Sequence, residues 1–169
     1  DAVRSSCTSS SLRSAASSGS WCGKMGTLLY TSEMEDTIFM KIIRREVPAE
    51  IVYEDADTIA FLDVKPTAFG HTLVVFKKPV QNIFDADDET LVAVMRTVRK
   101  ISPAVRDAVG AHGVHINSNH GEAAGQIVFH LHFHIIPRHD RNEFSFWPQH
   151  DYPKSAAAAI AEKIRTGIK

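Results

Sequence analysis

Ten residues, Ile127-Val128-Phe129-His130-Leu131-His132-Phe133-His134-Ile135-Ile136, constrain this chain more than any other segment. Side chains along a β-strand alternate between faces with a period of two. The pattern predicts a strand over 127–136 with Val128, His130, His132, His134 and Ile136 on one face. Ile127, Phe129, Leu131, Phe133 and Ile135 fall on the other. An all-apolar face is what a sheet buries against a core. The opposite face carries three imidazoles at intervals of about 6.5 Å. Imidazole titrates nearer to neutrality than any other side chain and serves as base, nucleophile or metal ligand. Three of them in strict alternation mark a site.

The remaining chain supplies partners for such a strand. Asp36 is placed to cap a short helix through Glu46, with Ile38, Phe39, Ile42 and Ile43 toward one side and Pro48 as its stop. Residues 50–54 and 57–63 read as a strand pair around Asp55-Ala56. Gly70 precedes His71-Thr72-Leu73-Val74-Val75-Phe76, a strand rich in β-branched residues closed by Pro79. Asp85 or Asp87 opens the longest helix, where Leu91, Val94, Met95, Val98 and Ile101 keep helical spacing. Pro103 has no amide donor, so a kink or restart is predicted at Ser102-Pro103. Gly113 to Asn117 is a further strand, Gly121 to Gly125 a turn. Ser155 caps a last helix through Arg165, with Gly167 as its stop. Strands that outnumber helices without regular βαβ alternation imply an α+β fold: an antiparallel sheet with flanking helices.

Composition narrows the function classes. A chain of 169 residues, 44% hydrophobic, suits one ordinary core. A net charge of −1 gives no electrostatic case for nonspecific binding to nucleic acid or membrane. No apolar run approaches the roughly 18 residues that cross a bilayer. Cys7 and Cys22 define no disulfide framework, which fits a reducing, cytoplasmic compartment. Residues 1–24 hold nine serines, and their basic residues are set against only Asp1. That makes 1–34 a disordered or processed extension and 35–169 the catalytic domain. Organellar targeting by 1–24 is the less favoured reading.

Two chemistries suit the aligned imidazoles. Two strand histidines can grip one zinc ion, with a third ligand from elsewhere; His71, His112, His115, His120, His139 and His150 are available. Against it, the outer triad members lie about 13 Å apart and cannot share an ion. The alternative is covalent catalysis, in which one ring nitrogen attacks phosphorus while the other is held protonated. The middle ring is then the nucleophile, with its neighbours on both sides holding phosphate oxygens. Asn119, Gly121, Gly125 and Gln126 offer amide donors and flexible backbone to enclose a phosphate.

The segment His130 to Ile136 resembles the motif of the histidine triad family of nucleotide hydrolases and transferases. Ile38 to Ile43, Glu50 to Asp55, Phe61-Leu62-Asp63, Gly70 to Val75 and Asn119 to Arg138 resemble family segments in the same order. The chain is most similar to the branch of nucleoside phosphoramidases and their bacterial-type relatives. The resemblance implies a covalent nucleotidyl-histidine route to hydrolysis of a purine nucleotide at the α-phosphate, an adenosine 5'-monophosphoramidase activity above all. It implies His132 as nucleophile, His134 on the phosphate oxygens and His130 behind the nucleophile. Asn119, Gly125 and Gln126 would contact the phosphate and leaving group, with Ile127 beside them. Asp63 would accept from the ribose hydroxyls. Ile38, Phe39, Ile42, Phe61 and Val64 would form the purine slot; on spacing alone they are helix and strand core. A homodimer, with Trp147 near its surface, is implied as well. Other readings are a dinucleoside polyphosphate hydrolase or nucleotidyl transferase, and a nucleotide-binding regulator with little turnover.

The chain departs from its relatives at three places. Many carry two cysteines and a histidine that can hold a structural zinc; here those positions are Thr37, Met40 and Pro79. None is a useful zinc ligand, so no such metal and no cofactor is expected. Pro79 also removes an imidazole from behind the triad, which predicts a His130 without that partner. Ile127 stands where a hydroxyl often assists the leaving group, which predicts slower turnover or a preference for better leaving groups.

Overall fold

The computed structural model describes residues 37–143 and 147–168. The extension 1–34 and the predicted cap Asp36 lie outside them. Five strands, β1 (Ile51–Glu54), β2 (Thr58–Leu62), β3 (Thr72–Phe76), β4 (Gly113–Asn117) and β5 (His132–Arg138), form one sheet. Their order is β1-β2-β3-β5-β4, every neighbouring pair antiparallel. Helix α1 (Ile38–Ile43) lies against one face and α2 (Asp88–Ala108) against the other; α3 (Ala156–Gly167) follows. This is the α+β architecture with flanking helices that the strand pattern predicts.

Alternation sorts the core into two layers. Ala60, Val74, Phe76, Leu131 and Ile135 pack with Val94, Val98 and Ile101 of α2. Ile59, Phe61, Leu73 and Val75 pack with Phe39 and Ile42 of α1. Each fully buried large aliphatic, such as Ile59, Leu131 or Ile135, is worth about 1.5–3 kcal/mol. In register, Val75 faces His132, and Leu73 and Asn117 flank His134. Directly opposed residues share a face. The histidines of β5 therefore stand on the α1 layer, away from α2.

Several local expectations are corrected. The predicted strand 127–136 begins only at His132 and runs on to Arg138. A tight bend precedes it: the His130 amide donates to Val128 O at 2.8 Å, and the Leu131 amide to Val80 O. Helix α1 is capped by Thr37, whose Oγ1 accepts from the Met40 amide at 3.3 Å, and ends at Ile43 rather than near Glu46. Helix α2 does start after Asp87, which accepts from the Thr90 amide. It continues through Pro103 as one element, so no restart occurs there. Ser102 Oγ donates to Val98 O at 2.6 Å in that turn. Ser155 caps α3 with no side-chain hydrogen bond, and Gly167 is the helix's last residue rather than its stop.

Gly70 combines a positive φ with close side-chain neighbours. Its φ of +87° lies where L side chains are strained, and an added Cβ would sit 3.0 Å from Val109 Cγ1 and 3.3 Å from Pro137. Gly70→Ala is expected to lower stability by about 1–3 kcal/mol, read as a lower urea midpoint at unchanged m-value.

Candidate active site

The site is built where the start of β5 meets α1 and the β2–β3 loop. His132 is nearly buried, at 6% exposure. Its Nδ1 lies 2.6 Å from the carbonyl oxygen of His130. A carbonyl only accepts, so Nδ1 carries the proton and Nε2 keeps its lone pair. The ring of Phe39 stands edge-on to it at 5.0 Å. Ser118 Oγ donates to His132 O and ties the strand to the end of β4. Burial pushes the pKa of His132 down, against the raising effect of the His130 carbonyl. The ring is held neutral, with one nitrogen available to attack.

His130 is fully buried, and its Nε2 donates to Phe76 O at 2.6 Å. Burial lowers its pKa too, with the Phe76 bond opposing. Its Nδ1 has the Thr37 hydroxyl at 3.5 Å. With proline at position 79, the partners of His130 are the backbone of β3 and the cap of α1 instead of an imidazole. One expectation changes here: His130 cannot hold phosphate oxygens, since its ring is sealed in the core. Its part is to fix the carbonyl on which His132 leans.

The third ring belongs to a different chain of contacts. His134 Nδ1 lies 2.9 Å from His71 Nε2. The Thr67 amide reaches His71 Nδ1 at 3.3 Å, which makes that nitrogen an acceptor. His71 Nε2 is then the donor to His134 Nδ1, and His134 presents Nε2–H outward. Burial, then the neighbouring rings of His132 and His71, lower the pKa of His134 to about 4. His71 is also pushed down by burial, with Asp63 opposing. Asp63 Oδ2 stands 3.6 Å from His71 Nδ1, while Oδ1 accepts from the Lys65 amide at 2.8 Å. The centroids of His132 and His134 are 4.9 Å apart. A lone pair and an N–H donor thus stand side by side, as attack on a phosphoryl group requires.

In the sequence His71 reads as the start of a strand and as a spare metal ligand; its link to His134 was missed. A histidine opening a buried strand just after a glycine is the one signal that pointed to it. Asn117 was missed entirely. It is the register partner of His134, and its Oδ1 is buried without a hydrogen-bond partner among the described residues.

The other predicted residues divide clearly. Phe39, Phe61 and Ile42 are buried together beneath the histidines, with Phe39 and Phe61 edge-to-face at 5.7 Å. Ile38 and Val64 are exposed, Val64 at 84%. Gln126 is buried and its side chain is fully engaged: Oε1 accepts from the Gly121 amide, and Nε2 donates to Gln81 O and Val128 O. The Gly125 and Gln126 amides close the 3-10 turn on Glu122 O and Gly121 O. These expected phosphate donors are spent on the turn itself, because a tight turn satisfies its own backbone first. Asn119 Nδ2 reaches Gly125 O at 3.3 Å and keeps its second proton. Ile127 is 90% exposed. Trp147 stands edge-on to His115 of β4 at 6.0 Å.

Comparison with known proteins shows the family and the fold. The family model described as HIT domain matches residues 44–141. "Protein hit" of Bacillus subtilis is 39% identical over 134 residues, covering 77% of this chain and 92% of that protein. "Adenosine 5'-monophosphoramidase hnt1" of Schizosaccharomyces pombe is 33% identical over 135 residues, covering 78% and 98%. The crystal structure of a member of the HIT family from Bacillus subtilis superposes with a TM-score of 0.74 at 37% identity. It covers 80% of this chain and 99% of its own.

Proposed function

The chain belongs to the HIT family of nucleotide hydrolases and transferases, and from that premise we propose that it cleaves purine nucleotides at the α-phosphate as an adenosine 5'-monophosphoramidase. The observation that carries the reading is the 2.6 Å contact of His132 Nδ1 with the His130 carbonyl. It holds the ring in the tautomer whose Nε2 attacks. Bond formation from Nε2 to phosphorus breaks the phosphorus–nitrogen bond and expels the amine, whose nitrogen takes a proton from solvent; the later attack of water returns one proton to solvent. The nucleotidyl-imidazole carries positive charge, and its Nδ1–H then makes a charge-assisted bond to the same carbonyl. Water attacks phosphorus next, releasing the nucleoside monophosphate and returning neutral imidazole. His134 Nε2–H stabilises the phosphate oxygens through both steps. Asp63 receives the ribose hydroxyls, Asn119 the phosphate edge, and Ile38, Phe39 and Val64 the base. A homodimer joined along β4, one of the two edge strands of the sheet, is the proposed unit. Among the described residues, no helix is long and apolar enough to cross a membrane.

The phosphoramidase name of the Schizosaccharomyces pombe relative supports this substrate class. The test is a panel of an adenosine phosphoramidate, the guanosine counterpart and a dinucleoside polyphosphate. The reading expects the highest kcat/KM on a phosphoramidate; a preference for the polyphosphate would overturn it. The exposed Ile127, which offers no hydroxyl to a leaving group, favours a second reading as a low-turnover nucleotide binder. Tight AMP binding with negligible hydrolysis of every substrate would select it.

The pH profile follows from the same tautomer. The attacking ring must be neutral, and burial lowers its pKa below the usual value of about 6.5. The active form therefore persists at all pH above that lowered value. kcat/KM is expected to stay flat from about pH 7 to 9 and to fall only on the acid side of an ordinary imidazole.

A further inference from the structure

We infer that His120 is a further catalytic residue, whose Nε2–H hydrogen-bonds the nitrogen that leaves phosphorus. The loop that carries it runs beside the start of β5: Asn117 is the register partner of His134, and Ser118 Oγ donates to His132 O at 2.6 Å. Asn119 comes next, then His120. The Ile83 amide donates to His120 Nδ1 at 3.2 Å, so that nitrogen keeps its lone pair and the proton sits on Nε2. Among the described residues no acceptor takes this Nε2–H. The ring is held further by edge-on contacts with Phe84 at 6.3 Å and with Phe133, the residue between His132 and His134, at 6.4 Å. Charge on His120 is felt at His132, whose pKa it lowers. Burial lowers the pKa of His120 itself, so the ring is neutral where hydrolysis is expected. A fixed, neutral donor with no acceptor of its own thus stands close to the reacting ring.

The reaction proposed above has no other donor on its leaving side, and the inference rests on that reading. His134 serves the phosphate oxygens, and Ile127, 90% exposed, offers no hydroxyl. As the phosphorus–nitrogen bond breaks, its electron pair collects on nitrogen. A hydrogen bond to that pair strengthens as charge develops, so it favours the transition state over the bound substrate. His120 keeps its proton throughout; the one that the amine takes comes from solvent. A donor that stays neutral adds no further ionisation to the flat pH profile.

The experiment varies the leaving group on one nucleoside, using the full chain: an alkylamine phosphoramidate of adenosine, an anilide, and a nitrophenyl ester whose phenolate departs without help. His120→Ala is expected to lower kcat/KM about 10–100-fold on the alkylamine and no more than about threefold on the nitrophenyl ester. His120→Gln, which places an amide N–H near the Nε2 position, should recover most of that loss. A His120 that only supports the loop would lower all three substrates equally. That result, or no loss on the alkylamine, would overturn the inference. Imidazole ¹⁵N spectra give a readout that needs no change at position 120. In His132→Ala, where substrate persists, the alkylamine phosphoramidate should shift His120 Nε2 and AMP should leave it in place. Equal shifts with both ligands, or none with either, would overturn the contact. If the unmutated protein hydrolyses none of the series, the phosphoramidase reading falls and this role with it. Hydrolysis with an unchanged leaving-group dependence in His120→Ala removes His120 alone.

Discussion

Replacing His132 with alanine is expected to reduce phosphoramidate hydrolysis by about 10⁴-fold or more, the scale on which a covalent nucleophile's loss is felt. The Nε2 lone pair is the group that bonds to phosphorus in this scheme, and neither neighbour can replace it. His130 is sealed under the sheet with its Nε2 on Phe76 O, and His134 presents a proton. His134→Ala should cost less, about 10²–10³-fold, as expected of one lost donor to a developing charge. AMP binding should change by no more than a few-fold in His132→Ala, since that ring acts on the reacting bond. The variant also leaves the His130 carbonyl without its donor in a nearly buried place, a penalty of about 1–3 kcal/mol. A thermal melt will register that loss while the fold persists. Hydrolysis retained within tenfold of the parent would remove His132 from the chemistry.

Acid is expected to unfold this protein early. His71, His130, His132 and His134 all have pKa values lowered in the fold, burial being the first cause in each. In the unfolded chain each protonates near pH 6.5. Below that pH the unfolded state binds more protons than the folded one, so stability falls as pH drops through the interval down to each folded pKa. His134, lowered to about 4, alone accounts for about 2 kcal/mol between pH 6.5 and 5. The other three add to it in the same direction. Urea titrations in chelator at pH 7.5, 6 and 5 should show a steep fall in stability, and His134→Gln should make the slope shallower. A stability that rises or stays level from pH 7.5 to 5 would contradict neutral, buried imidazoles.

What the sequence made legible follows from periodicity. Period two in the histidine strand sorted His132 and His134 from Leu131, Phe133 and Ile135 without knowledge of the sheet order. Helix α2 was readable because its apolar spacing spans several turns behind a capping Asp87. The failures are nonlocal or concern bends. His71 and His134 are 63 residues apart, and only the pairing of β3 with β5 brings them together. The bend at 128–131 came from hydrogen bonds to Val80 and within the turn, which alternation of residue types does not encode. It moved His130 off the regular strand and made it a brace for His132. Thr37, noted as a lost zinc ligand, is instead the cap of α1 and the neighbour of His130. Gln126 looked like a free amide donor because nothing in its local sequence reveals the carbonyls of Gln81 and Val128.

The account stands on a bond between His132 Nε2 and phosphorus. Mixing excess adenosine phosphoramidate with the enzyme and quenching on the millisecond scale, followed by intact and peptide mass spectrometry, measures it directly. The account predicts one adenylyl group per site on the peptide carrying His132, formed before AMP accumulates and absent from His132→Ala. Turnover at full rate with no adenylylated protein at any time, or with the group on another residue, would contradict it.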